Sequence, residues 1–225
     1  MGTALLAGLV MVGGMGRVAR VSERLVPAMA LLYLGSGALV LLVRAEELPQ
    51  AFSLIFSCAL NPEAALGGGA GWTVASALRY GVARGVFTNE AGLGTSAMAH
   101  GAAQADHPAR QGMWGIFEVF VSTLLVCSVT ALVILVSGVY VPEEALSQLQ
   151  SGQIPGSSLG VPLTARAFAS VLGSAGEWVV ALSLILFAFS SILGWSCYGQ
   201  QGLRYLTGGD RFLPLYRAVF LGCIV

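Results

Sequence analysis

Charged residues are scarce in this sequence, and lysine is absent from it. Charged side chains make up 10% of the chain, whereas a soluble domain carries about a quarter. Eleven basic residues balance eleven acidic ones, so the net charge of zero points to no nucleic-acid or acidic partner. The four cysteines are scattered without a CxxC spacing, which favours small core residues over disulfides or metal ligands.

Apolar residues make up 56% of the chain. Three runs, at residues 25–43, 119–141 and 178–201, lack Asp, Glu, Lys, Arg and His over nearly a bilayer-spanning length. A transmembrane helix needs roughly 20 apolar residues, so we predict an all-α, multi-span integral membrane protein. No cationic region precedes the first apolar run, which argues against a removable signal peptide. Apolar runs also lie at both ends of the chain, so we expect a piece of a longer membrane protein.

Arginine placement predicts which connections face the cytoplasm, because cytoplasmic loops collect Arg and Lys. The arginines that indicate inside connections are Arg17, Arg20 and Arg24, then Arg110, then Arg204, Arg211 and Arg217. Acidic connections at residues 44–50 and after residue 139 fit the outside. The chain must then cross an odd number of times between residues 50 and 110, where hydropathy offers no clean helix. We therefore predict a buried crossing over residues 72–103 that is broken in the middle.

This crossing contains the most informative motif of the chain, RGVFTNEAGLGTSAMAHGAA, at residues 84–103. Apolar residues at helical spacing predict a first half-helix over residues 75–87. Gly92 and Gly94 allow unusual dihedral angles and close approach of a ligand to the backbone. Thr95 or Ser96 suits the N-cap of a second half-helix over residues 97–103. Amides at the start of that half would suit a small carboxylate, and carbonyls at the end of the first half would suit a cation.

Two interpretations of the motif stay open. Acidic residues inside a membrane are rare and usually mark a functional site, which favours a polar pocket or path around Glu90. The alternative is a packed glycine crossing in which Glu90 pairs with Arg84 or Arg79. Glu90 either touches a substrate or holds the backbone breaks in place. His100 and His107 could ligate a metal or relay a proton, although a helix end near the inner surface explains them more simply.

A weaker site-like element is FAFSSILGWSCYGQQ, at residues 187–201. A thin, weakly polar stripe at helical spacing is formed by Ser183, Ser190, Gly194 and Cys197. Ser191 and Trp195 are one turn apart on an adjoining face. Hydroxyls at mid-membrane could ligate a cation, but this segment alone favours helix packing, with Trp195 as an interface anchor.

The stretch RYGVARGVFTNEAGLG followed by AHGAA resembles the alanine or glycine:cation symporter family, where R-G-x-F-S-N-E-A-G-x-G precedes A-H-A-A-A. FSSILGW, at residues 189–195, resembles a second hallmark of that family, which ends in G-W-x-Y-Y-G-E. The resemblance runs across essentially all 225 residues and matches about the later half of a full-length member. It implies a leucine-transporter-type (APC superfamily) fold of inverted repeats, present here as one incomplete membrane domain, residues 1–225. The broken helix would be residues 72–103, and an outer hairpin with a short helix at 164–172 would occupy about 140–172.

The resemblance implies uptake of alanine or glycine, coupled to sodium or protons, across the plasma membrane, which in a bacterium is the inner membrane. The positions matched to substrate binding are Asn89, Gly92, Leu93, Gly94, Thr95, Ser191 and Trp195. Ser190 and Ser191 resemble a hydroxyl pair offered to sodium, and Glu90 and Arg84 take structural or coupling roles. We expect no cofactor and no metal beyond the transported sodium, with the amino acid, sodium and the lipid bilayer as partners.

The chain also departs from the family pattern. Ala97 stands where members often have Pro, Thr95 where they have Ser, and Ser122 where many have Asp. A Tyr-Glu-Arg type ending is replaced by Cys197, Gln200 and Gln201. The alternatives are an ion channel or another solute carrier that uses the same polar crossing, or a truncated product without activity. An enzyme is disfavoured, because the sequence has neither paired catalytic carboxylates nor an HExxH spacing.

Overall fold

A computed structural model describes residues 2–60, 79, 81–83, 85–90, 92–140 and 160–224. Within these ranges the chain forms helices joined by turns and no strand, which confirms the predicted all-α class. The α-helices are α1 (Gly2–Val12), α2 (Met15–Val43), α3 (Leu48–Leu60), α4 (Thr95–Gly101), α5 (Pro108–Val119), α6 (Ser128–Val136), α7 (Val161–Leu172), α8 (Ser174–Thr207) and α9 (Leu213–Ile224). A 3-10 helix, Ala45–Glu47, precedes α3, and a π-helical segment, Phe120–Cys127, joins α5 to α6.

Three helical stretches are long and apolar enough to cross a membrane: Gly16–Val43, Pro108–Val136 and Ser174–Thr207. They cover most of the three apolar runs that were predicted as spans. At most 22% of the apolar window in each is buried, and large side chains such as Ile116 and Ile185 are exposed. A soluble protein rarely exposes so much contiguous apolar surface, so these helices are built to face lipid or further protein.

The described chain forms two compact units, each assembled from separate stretches. The first comprises residues 1–32, 93–115 and 182–225. Its core is Met11, Val18 and Leu193, with side chains from α9 packed against it. Glycines allow the helices to approach closely, because a side chain at Gly199 of α8 would collide with the Tyr216 ring of α9. Small residues at helix crossings are a common device in membranes.

The second unit comprises residues 33–92 and 116–181. Tyr33 of α2 joins two other helices in it. Its hydroxyl lies 2.7 Å from the Thr130 hydroxyl of α6, and its ring centroid lies 5.6 Å from that of Phe168 in α7. Phe168 is fully buried. At this junction the hydroxyl of Tyr33 is hydrogen-bonded while its apolar ring packs against Phe168.

The short helix predicted at 164–172 is confirmed as α7, which begins three residues earlier, at Val161. Pro162 explains the earlier start, because proline favours the first helical turn, where its missing N–H costs nothing. Residues 141–159 of the predicted outer hairpin lie outside the described residues. Cys127, Cys197 and Cys223 are free thiols, but Cys127 and Cys223 are exposed, so the expectation of small core residues is wrong for these two within the described chain. The side chain of Cys58 lies outside the described part of the chain.

Candidate functional site

The predicted helix break lies between residues 88 and 95, and the structure confirms it. Residues 81–83 and 85–88 are helical, turns follow at Asn89 and Glu90, and α4 begins at Thr95. Residues 75–78 of the predicted first half-helix, together with Arg84 and Ala91, lie outside the described residues. An interruption of this kind exposes backbone polar groups that a continuous helix would use internally.

Asn89 closes the first half-helix with three hydrogen bonds. Its backbone N–H and its side-chain Nδ2 both donate to the carbonyl of Gly85, at 3.1 and 3.0 Å. Its Oδ1 accepts a hydrogen bond from the Thr123 hydroxyl at 2.8 Å. The amide side chain is therefore engaged on both of its ends and anchors the break to the following span.

The break turns through left-handed backbone at three positions. The φ angles are 50° at Glu90, 79° at Gly92 and 79° at Gly94. Glycine adopts such angles freely, whereas a residue with a side chain is strained by about 1–2 kcal/mol. A carbon added at either glycine would meet no described atom within 4 Å. Within the described chain the two glycines are therefore needed for their left-handed dihedral angles. The described residues give no support to the alternative, in which the glycines allow tight packing of two helices.

The second half-helix, α4, spans Thr95–Gly101 rather than residues 97–103. The prediction of an N-cap at Thr95 or Ser96 is wrong, because Gly94 occupies that position and no side chain caps the helix. A Ser or Thr N-cap needs an extended backbone, whereas the left-handed turn at Gly94 brings Thr95 directly into the first helical position. The Gly94 carbonyl accepts a hydrogen bond from the Met98 N–H at 3.3 Å.

Sequence reasoning missed Thr123, which lies in the π-helical segment Phe120–Cys127. Such segments are rare and recur at functional sites, because their wider turn redirects side chains. Here the segment carries the hydroxyl that bonds Asn89 across 34 positions of sequence. The available signal was a Ser–Thr pair inside an otherwise apolar run.

The α8 residues predicted to bind substrate or cation have the following surroundings. Ser190 donates its hydroxyl to the carbonyl of Phe187 at 2.8 Å, within its own helix. Ser191 is exposed, and Trp195 is 46% exposed. The Trp195 ring packs edge to face on Tyr198, with centroids 6.1 Å apart. That Ser191 and Trp195 face the break stays a prediction, as does the cation role of the two serines.

Ser183, a member of the predicted polar stripe, is only 1% exposed. Its hydroxyl has no hydrogen-bond partner among the described residues. Ser196, on the same helix, is fully buried and donates to the carbonyl of Leu193 at 2.7 Å. Of the predicted stripe, Ser183 is therefore buried, whereas Ser190, Gly194 and Cys197 are half-buried.

A cavity of about 560 Å³ lies in the first unit between α4 and the end of α8. Its lining includes Ala97, Met98 and Gly101 of α4 and Gln201, Gly202 and Arg204 of α8. Arg204 is paired with Asp210 at 2.6 Å. The volume falls within the roughly 300–1,000 Å³ typical of small-molecule sites. Because both helices line the cavity, the second half-helix lies near the end of α8, the helix that carries Ser191 and Trp195.

The remaining polar candidates are two histidines and one carboxylate. His100 lies in the last turn of α4, and its Nδ1 is 2.9 Å from Nε2 of Gln111. The Nδ1 atom of His107 accepts a hydrogen bond from the Ala109 N–H at 3.2 Å. These contacts fit the helix-end interpretation, and the described residues contain no group of three or more His, Cys, Asp or Glu side chains placed to hold a metal. Glu90 is half-buried. The alternative in which it pairs with Arg84 stays a prediction, because Arg84 lies outside the described residues.

Comparison with known proteins gives a match over the whole chain. The model of the sodium:alanine symporter family matches residues 1–225. The chain is 40% identical to the uncharacterized transporter YflA of Bacillus subtilis over 92% of its own length and 42% of that protein. It is 36% identical to the putative sodium/proton-dependent alanine carrier protein YrbD of Bacillus subtilis, over 92% of the chain and 42% of the relative. It is 35% identical to the sodium/alanine symporter AgcS of Methanococcus maripaludis, over 97% of the chain and 45% of the relative.

The chain thus spans less than half the length of these relatives. The matched residues include the interrupted helix and the three apolar helices. The family expected from the two sequence hallmarks is confirmed, and the chain belongs to the sodium:alanine symporter family.

Proposed function

We propose that the full-length protein is a secondary transporter that carries a small neutral amino acid, alanine or glycine, together with a cation. Sodium is the first choice of cation, and the proton is the alternative. The observation that carries the proposal is the broken helix at residues 85–101, found in a chain that belongs to this family throughout. Two similar proteins are named as a putative sodium/proton-dependent alanine carrier protein and as a sodium/alanine symporter.

The architecture we propose is the leucine-transporter-type inverted repeat, multi-pass in the plasma membrane. Transporters built from inverted repeats form their binding sites at discontinuous helices near the middle of the bilayer. The break between residues 88 and 95 supports this, because an interrupted helix is tolerated in a membrane only where it lines a cavity or lies within protein.

In this site the substrate contacts backbone more than the Asn89 side chain. Both ends of the Asn89 amide are already engaged, by Gly85 and Thr123. Gly92, Leu93 and Gly94 are exposed instead, and exposed backbone offers amide donors to a carboxylate and carbonyl acceptors to an ammonium group or a cation. Thr95, Ser191 and Trp195 complete the substrate site, and Ser190 with Ser191 offers oxygen to sodium. Glu90 stabilises the break from inside it.

Transport by the purified full-length protein in liposomes tests this function. Uptake of labelled alanine should saturate with alanine concentration and should rise when sodium is higher outside than inside. A matched potassium gradient is the control. Cation flux that does not saturate and does not need alanine would identify a channel instead. Sodium-independent uptake driven by a pH gradient would retain the symporter and replace its coupling ion.

A further inference from the structure

A basic groove lies beside the first turns of α2. It has a volume of about 810 Å³ and runs along one side of the helix from Arg17 to Ala28. Arg17, Arg20 and Arg24 are spaced by three and four residues, so they share one helix face. One carboxylate, that of Glu23, also lines the groove. The mouth of the groove therefore has a surplus of positive charge.

The three arginines differ in what they already bind. Arg17 donates from Nη1 to the carbonyl of Leu9 at 3.1 Å, near the end of α1, so it serves the fold. Arg20 donates from Nε to the carbonyl of Gly16 at 3.2 Å, which leaves its Nη groups for another acceptor. Arg24 has no hydrogen bond or ion pair with another residue in the described part of the chain. Arg20 and Arg24 are thus the groups that an anion would meet.

Apolar residues line the groove beside the arginines. Val21 lies between Arg20 and Arg24, and Leu25 and Ala28 follow Arg24. Ala28 is roughly 6 Å along the helix from Arg24, so the groove continues from the arginines onto the first turn of the apolar run at residues 25–43. The general preference of cytoplasmic loops for arginine explains the charges, but it does not explain the groove that they share with this apolar turn.

We propose that this groove binds an anionic phospholipid of the cytoplasmic leaflet. The phosphate accepts hydrogen bonds from Arg20 and Arg24, and one acyl chain lies along Leu25 and Ala28. Guanidinium groups suit phosphate because their planar donors match its oxygens. The lipid site is separate from the substrate break, so it stands or falls independently of the transported solute.

Lipid binding to the purified full-length protein in neutral detergent tests the site. The probe is phosphatidylglycerol with a fluorescent acyl chain, compared with phosphatidylcholine that carries the same label. Arg20→Gln and Arg24→Gln should each weaken phosphatidylglycerol binding by roughly fivefold, the factor expected for one arginine near a membrane surface. Glu23→Gln should strengthen it, because that change removes the opposing charge. Arg211→Gln is the matched control, since Arg211 is exposed on the same expected side and lies outside the groove.

Three results would overturn the proposal. Equal binding of the two lipids would show that charge plays no part, and equal weakening by Arg211→Gln would show a diffuse charge effect. Displacement of the lipid by millimolar inorganic phosphate would show a site for the free anion. If a glutamine variant does not fold, Arg24→Lys and Glu23→Gln decide the matter, because the first should keep most of the binding and the second should raise it.

Discussion

Replacing Thr123 by valine removes a single hydroxyl from the span that follows the broken helix. Valine keeps nearly the same shape, so the π-helical segment should persist. The change deletes the 2.8 Å hydrogen bond to Asn89 Oδ1 and leaves that oxygen without its donor. Asn89 keeps its two bonds to the Gly85 carbonyl, so the first half-helix still ends at the same residue. The perturbation therefore loosens the anchor without removing the break.

The magnitude follows from the burial of the two partners. A neutral hydrogen bond contributes about 0.5–1.5 kcal/mol, and a buried acceptor left unsatisfied costs about 1–3 kcal/mol. Both residues are half-buried, so about 1 kcal/mol applies, since water can partly replace the donor. If the anchored break is the form that binds substrate, the affinity for alanine should fall roughly fivefold.

Alanine binding to the full-length protein in the presence of sodium measures this effect. Ser128→Ala is the matched control, because it also removes a hydroxyl from the same span and Ser128 is exposed. In a double-mutant cycle, Thr123→Val should have little further effect once Asn89 is alanine, with a coupling energy of about 1 kcal/mol. Equal losses in Thr123→Val and Ser128→Ala, or strictly additive losses with Asn89→Ala, would refute the anchoring role.

Three further predictions concern the break, α8 and the topology. Gly94→Ala should weaken alanine binding because of its φ of 79°, and Gly94→Asn should weaken it less, because Asn tolerates left-handed backbone; equal effects would mean that the angle is not limiting. Trp195→Ala should weaken alanine binding roughly 10- to 200-fold and allow bulkier amino acids to bind. Ser191→Ala should raise the sodium concentration that gives half-maximal uptake. A variant that keeps the wild-type value of its own measurement would show that the replaced residue is not part of the site. In a cysteine-free background, cysteines replacing Glu47 and Arg110 should react from opposite sides of the membrane, and labelling from the same side would exclude an odd number of crossings between them.

The spans and the break could be predicted from sequence because their causes are local. A sufficiently long apolar run is stable in a bilayer as a helix, because the helix satisfies its backbone hydrogen bonds internally. All three long helices therefore lie where the apolar runs predict them. A pair of glycines beside an acid inside such a protein indicates interrupted backbone. The N-cap was mispredicted because one of these glycines, Gly94, also occupies the N-cap position of the next helix. Side-chain preferences do not reveal this.

Contacts between helices were beyond the reach of local patterns. Thr123 meets Asn89 across 34 positions, and no periodicity links them. Likewise Gln200 is fully buried, and its Oε1 accepts bonds from Nε and Nη2 of Arg217 at 3.1 and 2.9 Å. From sequence alone Gln200 only replaces part of the Tyr-Glu-Arg type ending of the family motif. In the fold its side chain accepts hydrogen bonds from Arg217, a half-buried arginine of α9.

In the proposed site, exposed backbone at the break binds the amino acid when sodium is present. Leu93 lies between the two left-handed glycines and is 50% exposed, so a cysteine there reports directly on the site. In the cysteine-free full-length protein, alanine should slow alkylation of Leu93→Cys in sodium and should not slow it in potassium. A cysteine at Leu206, which is 81% exposed at the end of α8, should react at the same rate throughout. Alkylation of Leu93→Cys that is indifferent to alanine in sodium, in a variant that still binds alanine, would contradict the claim.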